Sequence, residues 1–225
     1  PEHCGQRGAG QQQRRHRQRP EHTGCERHDG HQHRGHHQHR HAQSAVKRPA
    51  QPLIQAKKEG LNVTADVSIY QLIFTDADLL SFDTNLKVQP PFRGATDRAA
   101  ILEGLRDGTL DALVSNHQPQ DYDSKFCEFD HAAFGMAGLT AFLPAMEQLA
   151  KELGWELLLE KVTSGPEKVV GPGSDSWTIF DPAEKWTYNE KTNPSLSSNH
   201  PWFGQELTGK VKYCIQKGHL IQIND

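Results

Sequence analysis

Histidines crowd the first 41 residues of this chain, and imidazole is a common ligand for divalent metal ions. Ten of the fourteen histidines lie between His3 and His41. The densest group comprises His31, His33, His36, His37, His39 and His41. Such a group can bind a borderline divalent ion such as Zn²⁺ or Ni²⁺. Arginines interleaved with the histidines of this segment can contact phosphate, but no aromatic residue is available for base stacking. These arginines include Arg14, Arg15, Arg17 and Arg19.

The same segment has the composition of a chain without a hydrophobic core. No Val, Ile, Leu, Met, Phe, Trp or Tyr precedes Val46, so burial cannot offset the entropy of ordering the backbone. We therefore predict that residues 1–49 form a disordered arm. Its dominant residues, Arg, His, Gln, Pro and Gly, also have codons that a GC-rich gene yields when it is read out of frame. An inert tail, a frame artefact and adventitious metal binding remain alternatives, and we expect no specific nucleic-acid partner.

Charge and cysteine usage set the arm apart from the rest of the chain. Residues 1–50 carry a net charge of +6, and the remainder carries −9. Cys4, Cys25, Cys127 and Cys214 show no CxxC spacing, which favours reduced thiols in the cytoplasm. No window holds about 18 apolar residues, so we expect no membrane span.

From about residue 50 the pattern alternates between helix and strand. Residues 53–59 predict a helix that ends at Gly60, and residues 61–68 predict a strand. A second helix over residues 96–106 precedes a short apolar strand over residues 111–115, of the kind that is buried in a parallel sheet. This order is typical of an α/β fold.

The C-terminal third changes character. Apolar residues at helical spacing predict a helix over residues 139–153, which Gly154 terminates. Beyond it, residues 177–180 predict a strand, and residues 210–215 and 219–223 predict a hairpin. We therefore expect an α/β portion followed by a β segment.

Three collinear blocks resemble dihydroorotases of the type found in multienzyme pyrimidine complexes. Residues 63–72 (Val-Thr-Ala-Asp-Val-Ser-Ile-Tyr-Gln-Leu) are similar to a family strand that ends in Pro-His-His-Leu. Residues 83–93 are close to the family's Asp-x-Asn-Phe-Lys-x-Asn-Pro-Pro-Leu-Arg. Residues 107–119 match Asp-Gly-Thr-Ile-Asp-x-Ile-x-Ser-Asp-His-x-Pro. Further matches follow at residues 128–130 and 134–139, and the tail from residues 180–182 through 204–211 also fits.

The resemblance implies the C-terminal part of a TIM-type (β/α)8 metallo-hydrolase barrel. Residues 50–172 would supply strands six to eight, and residues 173–225 a β segment of a small composite domain. Chemistry in such barrels takes place at the C-terminal ends of the strands. Tyr70 and Asn116 fall at such ends.

Active members of this family bind zinc, which lowers the pKa of water so that hydroxide can open a cyclic amide. Their strand-six His-His corresponds to Tyr70 and Gln71 here, and their strand-eight aspartate, which is also the general base, to Asn116. A neutral amide brings no charge to a cation and is no base at neutral pH. Tyrosine ionises only near about pH 10. We therefore expect no catalytic residue, no metal at these positions and no cofactor.

The resemblance also implies positions that surround the pyrimidine ring or its carboxylate. Asn85 can offer a donor and an acceptor to a cyclic amide, and His117 can donate to a carboxylate. Gln120 stands where many active members have a second histidine. An alternative is that the matching residues only retain the architecture of the loops. These residues are Asn85, Arg93, His117, Phe134 and Gly135.

Three functions follow as hypotheses. The first is a non-catalytic dihydroorotase-like protein in the cytoplasm that scaffolds another enzyme of pyrimidine biosynthesis. Its partner would be aspartate carbamoyltransferase or a second copy of this chain. The second is a zinc-dependent dihydroorotase, and the third is a metal-binding or nucleic-acid-binding arm on an inert domain. The residues at positions 70, 71 and 116 favour the first.

Overall fold

A parallel sheet forms the first half of the fold. The computed structural model describes residues 40–43, 47–173 and 175–223. Strands β1 (Arg40–Gln43), β2 (Val63–Ser68) and β3 (Ala112–Val114) pair in the order β1-β2-β3, and both pairings are parallel. Because parallel strands need crossovers, a helix follows β1, and a longer connection that includes a helix follows β2.

Strand β2 lies at the centre of this sheet. Its four inner residues, Thr64 to Val67, are buried, which is typical of a parallel strand with helices packed on both faces. The core beside it is built from large aliphatic side chains that are almost completely buried: Ile69, Leu72, Leu105, Leu149 and Leu158.

Helices surround and follow the sheet. The longer ones are α1 (Lys47–Lys58), α3 (Ala95–Arg106), α5 (Phe142–Leu153), α6 (Trp155–Val162) and α7 (Ser164–Val170). Single-turn helices α2 (Tyr70–Ile73) and α4 (Tyr122–Lys125) lie in the connections, together with 3₁₀ turns at Asp78–Ser81 and Thr84–Leu86. Within the described ranges, no helix has the length and apolarity needed to cross a membrane.

An antiparallel sheet of three strands follows the helices. Strands β4 (Ser176–Thr187), β5 (Glu206–Gln216) and β6 (His219–Gln222) pair in that order. Trp177 is opposite Ile215, which in turn is opposite Leu220. Trp177 and Leu220 are 67% and 63% exposed, so this cross-strand row presents an apolar surface to solvent.

The predicted order of elements is confirmed, with shifted ends. Gly60, Gly108 and Gly154 follow the first three predicted helices with positive φ angles, as residues that end a helix commonly do. The sequence did not reveal α6 and α7. Pro166 disguises α7, although it lies in the first turn of that helix, where proline costs little.

Two expectations need correction. The arm predicted over residues 1–49 is too long, because residues 40–43 pair with β2 and α1 begins at Lys47. The rest of that predicted arm, residues 1–39 and 44–46, lies outside the described residues. Three strands, six to eight, were expected in residues 50–172. Within that range the structure has two, β2 and β3, which pair directly with each other.

Candidate functional site

Tyr70 begins α2 at the C-terminal end of β2, and its ring is buried in the protein interior. The Tyr70 side chain is 2% exposed, and its hydroxyl donates to the carbonyl oxygen of Gly138 at 2.5 Å. The ring packs edge-on against His200, with 5.2 Å between the ring centroids, and lies 6.4 Å from Trp202. Burial raises the pKa of Tyr70 well above its ordinary value of 10.0. At neutral pH this phenol is therefore neutral and already hydrogen bonded.

Gln71 and Asn116 bind the backbone of the segment that leads to α3. The Gln71 Nε2 donates to the carbonyl oxygen of Pro90 at 2.8 Å, and the Asn116 Nδ2 donates to that of Gln89 at 3.3 Å. Asn116 has a left-handed backbone with φ of 45°, a conformation that asparagine adopts more readily than most residues. Its Oδ1 accepts from the Gln118 side chain at 3.3 Å. Both amides thus serve the local loop structure.

Three of the predicted substrate positions lie on two loops that run side by side. His117 forms a parallel bridge with Met136, and the His117 Nδ1 accepts from the backbone N–H of Leu139 at 3.2 Å. The backbone N–H of Gly135 donates to the carbonyl oxygen of Lys87 at 2.9 Å. The Phe134 ring lies 5.0 Å from the Lys87 Nζ. The structure therefore brings His117, Phe134 and Gly135 into one region.

The other two predicted positions are placed differently. Asn85 is half-buried in a 3₁₀ turn two residues before Lys87, and its backbone N–H donates to the Asp83 carboxylate at 2.9 Å. Arg93 is exposed, and its carbonyl oxygen accepts from the backbone N–H of Asp76 at 3.2 Å. Asn85 is thus two residues along the chain from Lys87, which contacts the Phe134 ring. Arg93 belongs to a different loop contact.

Two buried polar residues that the sequence analysis missed hold these loops. Lys125 is 7% exposed, and its Nζ donates to carbonyl oxygens of Thr84 and Ala133, both at 2.8 Å. Asn199 is 5% exposed and bonds to the loops that carry His117 and Gly135. No sequence signal marks either residue, because lysine and asparagine are usually exposed.

His200 is a third buried polar residue. It is 1% exposed, and its Nδ1 accepts from the backbone N–H of Trp202 at 3.1 Å. Its ring contacts Tyr70 and Tyr188 edge-on. Burial lowers the pKa of His200 to about 3, so the imidazole is neutral at physiological pH and forms part of the aromatic core.

Curated dihydroorotases are similar to this chain over most of its length. The dihydroorotase of Trichlorobacter lovleyi is 33% identical over 190 residues, covering 80% of this chain and 45% of the relative. Those of Syntrophus aciditrophicus and Aquifex aeolicus are 36% and 35% identical, covering 76% and 73% of this chain. The chain is dihydroorotase-like. It spans less than half the length of these relatives, and no family model matches it.

Two solved structures have a fold similar to that of this dihydroorotase-like chain. The L-hydantoinase (dihydropyrimidinase) of Arthrobacter aurescens has a TM-score of 0.71 at 24% identity, covering 81% of this chain and 44% of that one. An inactive dihydroorotase-like domain of a CAD-like multifunctional protein from Chaetomium thermophilum has a TM-score of 0.60 at 17% identity. The latter match covers 80% of this chain and 50% of that domain. These likenesses confirm an α/β fold.

The three residues that the sequence resemblance aligned with metal ligands have side chains that do not fit a divalent metal ion. The Tyr70 phenol is neutral and bonded to Gly138, while Gln71 and Asn116 are uncharged amides. The cavity they line has a volume of about 10 Å³, room for about one water molecule. Among the described residues, no group of three His, Cys, Asp or Glu side chains is arranged to hold a metal.

Proposed function

We propose that this dihydroorotase-like chain does not hydrolyse dihydroorotate and instead acts as a scaffold in pyrimidine biosynthesis. The observation that carries the proposal is the buried Tyr70 phenol, which stands at a family ligand position and donates to the carbonyl oxygen of Gly138. Displacing it would leave a buried carbonyl without its donor, which is unfavourable. The inactive dihydroorotase-like domain of the Chaetomium thermophilum multifunctional protein offers a precedent within the fold.

Electrostatics supports the same conclusion. In metal-dependent hydrolysis a cation stabilises the hydroxide formed from bound water near neutral pH, and a general base accepts a proton. Asn116 can do neither, because its amide is neutral over the physiological pH range. Its Nδ2 and Oδ1 are also engaged with Gln89 and Gln118.

We also propose that the sheet β1-β2-β3 is part of a (β/α)8 barrel in a longer protein. The parallel pairing, the helical crossovers and the likeness to hydantoinase structures support this reading. The loops after β2 and β3 would then lie at the face where such barrels bind their ligands. We propose that they keep a surface for a cyclic amide with a carboxylate, formed by Asn85, His117 and the Phe134–Gly135 backbone.

The proposed partner is aspartate carbamoyltransferase or a second copy of this chain. The exposed Trp177 and Leu220, with the half-buried Ile215 between them, support an interface on the antiparallel sheet. Apolar surface of this kind commonly marks a contact with another protein. Self-association is the simpler case to measure, because it needs only the purified chain.

Ring opening of dihydroorotate tests the proposal directly. The purified chain is assayed spectrophotometrically with added zinc and, in parallel, with a chelator, and the Aquifex aeolicus relative serves as the positive control. We expect no zinc-dependent turnover above the protein-free rate. Zinc-dependent turnover that disappears in the Asn116→Ala variant would instead establish a zinc-dependent dihydroorotase with substituted ligands.

A further inference from the structure

The loops that carry the predicted ligand contacts lie so close together that a side chain at residue 135 would not fit between them. Gly135 has a φ of 132°, and a Cβ on it would lie 2.8 Å from the carbonyl oxygen of Gln118 and 3.0 Å from the Gln120 Nε2. The backbone N–H of Gln118 donates to the carbonyl oxygen of Met136 at 2.8 Å. Residues 116–120 and 133–138 therefore form a defined pair of loops, and something must hold them at this spacing.

Asn199 bonds to both loops through a single side chain. Its Nδ2 donates to the carbonyl oxygens of Gln118 at 3.3 Å and Gly135 at 3.2 Å, one on each loop. Its Oδ1 accepts from the backbone N–H of Gln120 at 3.2 Å. The Asn199 backbone carbonyl accepts from the N–H of Ala137 at 3.0 Å. Both donations of this buried amide thus go to the two loops, while its Oδ1 accepts from Gln120 and from the Ser197 hydroxyl.

Lys125 does the same for the neighbouring 3₁₀ turn. Its Nζ donates to the carbonyl oxygens of Thr84 and Ala133 at 2.8 Å each and approaches that of Lys87 at 3.4 Å. Thr84 and Lys87 flank Asn85, and Ala133 precedes Phe134. A buried ammonium is favourable only when it is hydrogen bonded, and here its partners are backbone carbonyls of the proposed ligand site.

We propose that Asn199 and Lys125 are positioning residues that hold Asn85, His117 and Gly135 in their binding arrangement without a metal ion. The inference rests on the proposed ligand-binding role of these loops. Neither residue needs to touch the ligand. Each acts through the backbone of the loops, so the site is formed in advance and loses less entropy on binding.

The Asn199→Asp variant of the full chain tests this inference by hydrogen exchange. Aspartate keeps the oxygen that accepts from Gln120 but replaces the donating Nδ2 with an oxygen that faces two carbonyl oxygens. We expect the Gly135 and Gln118 amides to exchange at least about tenfold faster, equivalent to about 1.4 kcal/mol of lost local stability. The Asp111 amide, which donates to Ala65 elsewhere in the fold, should be unchanged. Asn62→Asp, at an exposed position, is the matched control.

A second variant keeps the inference testable if Asn199→Asp does not fold. Lys125→Met preserves the length of the side chain and removes the donors, so the Gly135 amide should again exchange faster while the Asp111 amide does not. Lys168→Met, at an exposed position, is its control. Equal acceleration at the Gly135 and Asp111 amides would show a merely global role and overturn the inference, and so would unchanged exchange in both variants.

Binding of dihydroorotate separates this inference from the proposed function. Calorimetric titration of the full chain should show an affinity that weakens about tenfold or more in Asn199→Asp and Lys125→Met but not in Asn62→Asp. If the unmodified chain does not bind dihydroorotate, the proposed ligand site fails, and the positioning of ligand contacts fails with it. If the chain binds and the variants bind equally well, only the positioning role is overturned.

Discussion

The Tyr70 hydroxyl donates to the carbonyl oxygen of Gly138, and the Tyr70 ring occupies the space that a side chain at Gly138 would need. This contact joins the end of β2 to the loop that follows β3, across 68 residues of sequence. Here a phenol and a glycine make that connection with a neutral hydrogen bond and close packing.

The first prediction concerns Gly138→Ala. The new methyl group would overlap the Tyr70 ring and lie 2.6 Å from the carbonyl oxygen of Ser115. We expect a loss of about 1–3 kcal/mol in the free energy of unfolding, the range typical of an overpacked core, measured by urea denaturation. Gly173→Ala is the control, because the nearest atom to its Cβ is 3.7 Å away on a flexible Glu167 side chain.

A double-mutant cycle with Tyr70→His sharpens this test. The smaller imidazole leaves room near Gly138, so the cost of Gly138→Ala should be lower in the Tyr70→His background by more than about 0.5 kcal/mol. Additive effects of the two substitutions would contradict the close packing of these residues.

The second prediction isolates the hydrogen bond. Tyr70→Phe keeps the ring but removes the donor, leaving the buried carbonyl of Gly138 without this partner. We expect thermal and urea unfolding to show a loss of about 1–2 kcal/mol. Tyr122→Phe, at a residue that is 69% exposed, should have little effect. A neutral result at both positions would mean that the Tyr70 hydroxyl does not stabilise the fold.

The third prediction concerns acid. Burial lowers the pKa of His200 from 6.5 to about 3, so the unfolded chain binds a proton in this window and the folded chain does not. Stability should therefore fall as the pH drops below about 6.5, by at most about 1.4 kcal/mol per pH unit from this residue. Urea unfolding at pH 7 and pH 5 measures the slope. His200→Gln should flatten it.

His131→Gln is the control for the acid experiment. The His131 side chain is 78% exposed, so its substitution should leave the pH dependence as in the unmodified chain. An equal slope in the His200→Gln variant and the unmodified chain would show that His200 is not the residue that makes folding sensitive to acid.

The fourth prediction is that reversion does not restore chemistry. Tyr70→His with Asn116→Asp returns two ligand types, but a zinc site needs three or four ligands in tetrahedral positions. In residues 38–225, which lack eight of the ten N-terminal histidines, we expect well under one equivalent of zinc by elemental analysis and ring opening near background. A stoichiometric metal in this variant would contradict the prediction.

The fifth prediction concerns self-association through the antiparallel sheet. Leu220→Lys places a charge in the cross-strand row with Trp177 and Ile215, so sedimentation analysis should show a smaller associated fraction than for the unmodified chain. Ile221→Lys is the matched control. Ile221 is opposite Cys214, in the next row along the sheet, and therefore points to the other face. Equal behaviour of both variants would place the interface elsewhere.

The sequence by itself determined the order of the main helices and strands, apart from α6 and α7, and the uncharged residue types at positions 70, 71 and 116. Residues 63–68 and 112–114 each follow a helix that ends at a glycine, and residues 112–114 are a short apolar run, so the signals for both strands are local. An amide at residue 116 is uncharged in any fold, so the sequence alone shows that no carboxylate stands at this position. The helices α6 and α7 escaped detection because Gly154, Gly165 and Pro166 resemble turn signals when they are read locally.

Only the tertiary structure decided which residues support the loops. Asn199 reaches residues that are 64 and 81 positions away, and Lys125 reaches a carbonyl 41 positions away. Both are residue types that ordinarily face solvent, so neither composition nor spacing distinguishes them. Their burial follows from the packing of segments that are distant in sequence. For the same reason, only the tertiary structure shows that the Tyr70 hydroxyl donates to the carbonyl oxygen of Gly138.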